Sequence, residues 1–133
     1  MRRTLWLVLV ATVAATPALA AVDVSADAIV RPPSDMPWYW RFCPTALARC
    51  RGTDSAALSA WFSLVNPRGV TVYRDSLAPT ILAPGEDTVL TFAQYEMGGD
   101  GGRWTARCSV AAPGDTCPTN DTLTKSFYVW PTG

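Results

Sequence analysis

The sequence predicts an all-β fold, a Greek-key sandwich of about seven strands, behind an N-terminal segment of different character. Three observations carry this. Apolar and polar residues alternate with period two in several short runs, as in "ALSAWFSLV" (57–65) and "RWTARCSV" (103–110). Eleven Pro and nine Gly punctuate a chain of 133 residues, so turn signals recur at short intervals. No stripe of helical period survives beyond the first twenty or so residues.

The N-terminal segment reads as a cleaved signal peptide, residues 1–20. Arg2 and Arg3 form a basic start, and an apolar run of about 11 residues follows, Leu5 to Ala15. Pro17 breaks it, and Ala18-Leu19-Ala20 supplies a small-x-small cleavage pattern. The run is too short for a bilayer, which takes roughly 20 residues. Residues 21–133 are then one exported domain, either secreted, periplasmic or at the cell surface, and no membrane span is expected after cleavage. Removing Arg2 and Arg3 from the 11 basic residues leaves nine against 11 acidic, a net charge of −2. With no basic patch, nucleic acid is not an expected partner.

The strands follow in order. "VDVSADAIV" places Val22, Val24, Ala26, Ala28 and Val30 on one face and Asp23, Ser25 and Asp27 on the other, and "RPPSDMP" ends it. "TALARC" puts Ala46, Ala48 and Cys50 on one face. Residues 57–65 send Leu58, Ala60, Phe62 and Leu64 inward and Ser59, Trp61 and Ser63 outward. Asn66-Pro67-Arg68-Gly69 is a strong turn, since Pro presets φ and Gly permits positive φ, so "VTVYRDSL" returns as a hairpin partner. "DTVLTF" aligns Thr88, Leu90 and Phe92. After the glycine cluster at 98–102, residues 103–110 send Trp104, Ala106, Cys108 and Val110 inward. "LTKSFYVW" aligns Leu123, Phe127 and Val129, but Lys125 falls on the same inner face, a flaw that a bulge or an edge position would resolve. Seven such strands in about 110 residues fit an immunoglobulin-like sandwich.

The segments also resemble the bacterial cell-adhesion-related (CARDB) module. The resemblance lies in "VDVSADAIVRP", "PTALARCRG", "VYRDSLAPTILAPGEDTVLTF" and "RWTARCSVAAPGDTCPTNDTLTKSFYV", which cover nearly all of residues 21–133. The aromatic stretch "MPWYWRFC" (36–43) has no counterpart in it. The resemblance implies an immunoglobulin/fibronectin-III-like sandwich acting in adhesion or as a scaffold, without catalytic residues.

Candidate sites are few. The chain has no histidine, so the usual general base is missing and no enzyme is expected. No cofactor motif is present, and none is expected. Trp38, Tyr39, Trp40 and Trp61 are the candidate binding residues, because aromatic rings anchor protein interfaces and stack on sugars. Asp115, Asn120 and Asp121 lie before the last strand. Asp and Asn suit such turns, and three oxygen donors fall short of the six to eight that calcium takes, so a turn is expected and a metal site is not. Cys43, Cys50, Cys108 and Cys117 are an even set in an exported chain, which points to disulfides. A bridge from Cys50 to Cys108 or Cys117 suits the expected topology. The function expected is a non-enzymatic module for adhesion or protein interaction, its partner a cell-surface protein or glycan. The alternatives are a small carbohydrate-binding module using the exposed aromatics, and a secreted inhibitor or unfamiliar enzyme.

Overall fold

The computed structural model describes residues 21–98, 100–115 and 121–130. The expected signal peptide, Cys117 and Asn120 lie outside the described residues. The strands are β1 (Val24–Arg31), β2 (Asp35–Pro37), β3 (Arg41–Phe42), β4 (Thr45–Cys50), β5 (Ala56–Val65), β6 (Thr71–Leu82), β7 (Asp87–Thr91), β8 (Tyr95–Glu96), β9 (Gly102–Ala111) and β10 (Thr122–Trp130). Seven are the expected ones; β2, β3 and β8 are short additions of two or three residues.

Two sheets pack face to face. One runs β1-β4-β7 and the other β2-β10-β9-β5-β6, while β3 and β8 pair separately. The chain crosses from the first sheet to the second after β4, returns at β7 and crosses again to β9. Those crossings make β4 a neighbour of β7, and β5 a neighbour of β9, which is the Greek-key arrangement. β2, which lies in the stretch expected only to end the first strand, joins the larger sheet parallel to β10.

Alternation correctly places the core. Leu58, Phe62, Leu64, Leu90, Phe92, Trp104, Ala106, Phe127 and Val129 are all buried. Phe62 and Phe92 meet with ring centroids 5.2 Å apart, and Trp104 and Phe127 with centroids 6.0 Å apart. The Trp104 indole N–H donates to Asp100 O at 2.8 Å, so its one polar atom is satisfied. The β5–β6 hairpin closes as expected: Asn66 Oδ1 accepts from the backbone N–H groups of Arg68 and Val70, and Gly69 has φ of 81°.

One expectation needs correction. In β1 the alternation does not persist, because the register against β4 shifts between Ala26 and Ala28 and leaves Asp27 as the extra residue of a bulge. Ile29 therefore turns inward and Val30 outward. The bulge carries Asp27 to Arg51, whose Nη2 lies 3.1 Å from both carboxylate oxygens while its Nε donates to Ser25 Oγ at 2.8 Å. Lys125 sits in unbroken register opposite Ala106, on a stretch of β10 that is an edge among the described residues because β2 pairs only with Tyr128–Trp130, so the expected edge position holds. Its ammonium donates to Pro32 O at 2.9 Å and to Ile29 O at 3.3 Å, where β1 leaves its sheet. An inward cation is tolerated here because it meets backbone carbonyls at the end of a ladder.

Candidate functional site

The outer face of the larger sheet holds an open cleft. On β5, Ser59, Trp61 and Ser63 alternate outward, opposite the buried Leu58, Ala60, Phe62 and Leu64. Cross-strand register then fixes their neighbours. Trp61 lies between Ser76 on β6 and Ser109 on β9, and Ser63 lies between Arg74 on β6 and Arg107 on β9. These side chains line an open cleft of about 420 Å³, within the usual range for small-ligand sites of about 300–1,000 Å³. The Trp61 side chain is 47% exposed. Arg74 and Arg107 are exposed, and neither forms an ion pair among the described residues. Asp75 also borders the cleft. It belongs to the inner side of β6, opposite Phe62, where its Oδ2 accepts from Ala93 N at 2.8 Å.

The aromatic segment 38–42 divides between core and surface. Trp38 is half-buried against the core and Phe42 is buried, edge-on to Tyr95. Tyr39 and Trp40 are 62% and 44% exposed. Trp38 and Tyr39 stand at 84° to one another, so they make no flat row. Trp40 lines a second open cleft of about 410 Å³ with Val30, Arg31, Pro33, Arg41 and Phe42. Trp61 is not among its walls, so the four candidate aromatics are not gathered into one site.

Asp115 and Asp121 do come together, and Asp23 joins them; their carboxylates lie within 4.8 Å of one another. Val22 bridges to Asp115, which brings the entry of β1 beside the β9–β10 connection. Gly52 lets residues 21–23 lie against the turn after β4, since a Cβ there would run into Ala21 O. Burial first, then a hydrogen bond with the Asp115 carboxyl and the charges of Asp115 and Asp23, push the Asp121 carboxyl up to about 7. Asp121 Oδ1 itself is shut off from solvent and has no hydrogen-bond partner among the described residues. Three such groups can share protons or offer hard oxygen ligands to a divalent cation. Asp23 was not legible as a member, because alternation assigns it merely to the outer side of the first strand.

Cys43, Cys50 and Cys108 are free thiols. The expected Cys50–Cys108 bridge does not form. Across the core β9 packs on β1, whereas Cys50 ends β4. Cys50 Sγ instead lies 3.3 Å from Asp54 O, to which it donates.

Arg74, Arg107 and the cross-strand serines were also missed. The signal was present: a hairpin closed at residues 66–69 sets Ser63 opposite Arg74.

No protein-family model and no curated protein matches the sequence. Solved structures match in shape. The solution structure of the CARDB domain of PF1109 from Pyrococcus furiosus has a TM-score of 0.58 at 14% identity, over 84% of this chain and 94% of that one. A crystal structure of the same domain in complex with di-metal ions gives 0.53 at 16% identity, over 84% and 87%. The C-terminal domain of wzt gives 0.53 at 9% identity, over 84% and 72%. At these identities the likeness is one of fold, and it agrees with the two-sheet topology: the chain has a CARDB-like immunoglobulin fold.

Proposed function

We propose that the chain is an exported, non-enzymatic binding module that attaches to a cell-surface protein or glycan through the outer face of its larger sheet. The observation that carries this reading is Trp61, a half-exposed indole in the middle of β5, in a cleft beside two arginines that form no ion pair among the described residues. Large rings with an exposed face are favoured anchors of binding surfaces. Exposed Tyr39 and Trp40 supply a second aromatic surface of lesser order. The non-enzymatic part rests on the lack of histidine in the sequence.

Fluorescently labelled protein added to intact cells tests the attachment. Trp61→Ala is expected to reduce binding about thirtyfold, with an unchanged melting curve. Equal binding by the variant would overturn the assignment. Export rests on residues 1–20, and intact-mass measurement of the exported protein is expected to find them removed.

The acidic cluster favours a second reading, in which the same module holds a divalent cation. Its three carboxylates and the partnerless Asp121 Oδ1 suit a hard cation such as calcium. The PF1109 domain forms a complex with di-metal ions. A rise of several degrees in melting temperature on adding calcium, lost in Asp121→Asn, is the expected result; no change in the intact protein would remove this reading.

A further inference from the structure

The outward positions of β5, β6, β9 and β10 carry charge of one sign. Along β5, β6, β9 and β10 these positions hold Arg74, Arg103 and Arg107, with serines, threonines and aromatics between them. No carboxylate stands at an outward position of these four strands. Asp35 lies at the far edge, on β2 beyond Tyr128. Asp75, the one acid bordering the cleft, belongs to the inner side of β6 and binds Ala93 N. A domain with a net charge of −2 after signal cleavage therefore keeps a positive face around its exposed indole.

The spacing narrows the ligand. Arg74 and Arg107 flank Ser63 on either side, so their backbones stand two strand spacings apart, about 9.5 Å. Their guanidinium groups can converge on one planar anion above Ser63, and such groups match carboxylates with paired hydrogen bonds. Trp61 lies two residues from Ser63 on the same face, with Ser76 and Ser109 on its flanks. An indole face offers a flat apolar platform, and the serine hydroxyls can both donate and accept. A pyranose ring bearing a carboxylate presents these features together: a flat C–H face, hydroxyls at its rim and one planar anion.

We propose that the Trp61 cleft binds a uronic-acid residue of an acidic polysaccharide, Trp61 stacking on the sugar ring while Arg74 and Arg107 hold its carboxylate. This rests on the binding reading above and names the ligand class of that same face. An acidic peptide would satisfy the arginines but has no use for the stacking face between hydroxyls.

Calorimetric titration of the purified protein with hexagalacturonate tests it, with the fully methyl-esterified hexamer as the uncharged counterpart. The acid form is expected to bind, and more weakly as salt rises. Esterification is expected to cost about tenfold or more, as is Arg74→Ala with Arg107→Ala. Trp61→Ala is expected to cost about thirtyfold. Lysine at both arginine positions is expected to restore part of the affinity, which a merely structural role would not. Equal binding of acid and ester would overturn the proposal. So would binding of hexaglutamate or of a sulfated hexasaccharide without binding of the uronate. Cell attachment lost in Trp61→Ala, with no uronate binding by the intact protein, would overturn the ligand class and leave the module reading standing. Loss of both would remove the two together.

Discussion

Replacing Lys125 with Met tests how the fold accommodates a cation on an inner face. The stem of Lys125 faces the core side of β10, and its ammonium donates to Pro32 O at 2.9 Å and Ile29 O at 3.3 Å. Met keeps the apolar stem and removes the donors. The shorter bond lies at the length of a charge-assisted hydrogen bond, worth about 1.5–3 kcal/mol, whereas the longer one is past the usual limit and adds little. Met also leaves Pro32 O without that donor beneath the sheet. The net cost is about 2 kcal/mol. For a domain of this size, that lowers the melting temperature by about 8 °C. Urea denaturation should show the midpoint falling at constant slope. Thr124→Met, one residue away on the exposed face, should stay within about 0.5 kcal/mol. A Lys125→Met loss under about 0.5 kcal/mol would mean that the ammonium is hydrated and that β1 leaves its sheet without its help.

Phe62→Ala removes a ring packed on Phe92 and Tyr73 and should cost about 3–5 kcal/mol in denaturant melts; under about 1 kcal/mol would put β5 in the wrong register. Asp121 has a folded-state carboxyl raised from 3.8 to about 7, so the folded chain holds a proton that the unfolded chain releases. Its contribution is full below about pH 4 and is lost as pH rises towards 7; Asp121→Asn should flatten the fall in melting temperature over that window. Cys108 is fully buried, and burial pushes its thiol up to about 11. A thiol reagent should leave it unmodified until the protein unfolds, and prompt reaction in the native state would contradict its place in the core.

Much of the fold was legible because alternation records burial directly. Phe62, Trp104 and Phe127 are inward in the sequence pattern and inward in the sandwich. The bulge at Asp27 was not legible, since one inserted residue reverses every face after it and leaves the composition unchanged. The thiols misled for a related reason. Cysteine count reflects the compartment, but bridging depends on which strands face each other, and β9 faces β1. The acidic cluster needed tertiary structure, because Asp23 and Asp121 are joined by the packing of the chain's first strand against the connection before its last.

Two residues break the same rule, and they differ in what the fold does with them. Lys125 is a polar group on an inner face, and the exception closes within the molecule: its ammonium finds backbone carbonyls of β1. Trp61 is a large apolar group on an outer face, and it stays half exposed among the described residues. Its neighbours across the sheet are Ser76 and Ser109, which offer the ring little apolar surface. Burying an indole would stabilise the fold, and leaving it in water forgoes that gain. A scattered exposed apolar residue is ordinary on any protein surface. This one has more around it. Two arginines without ion pairs among the described residues flank the next outward position on β5, and a cleft opens between these side chains. Stability accounts for the inward lysine. The outward tryptophan has its best use when a ligand covers it.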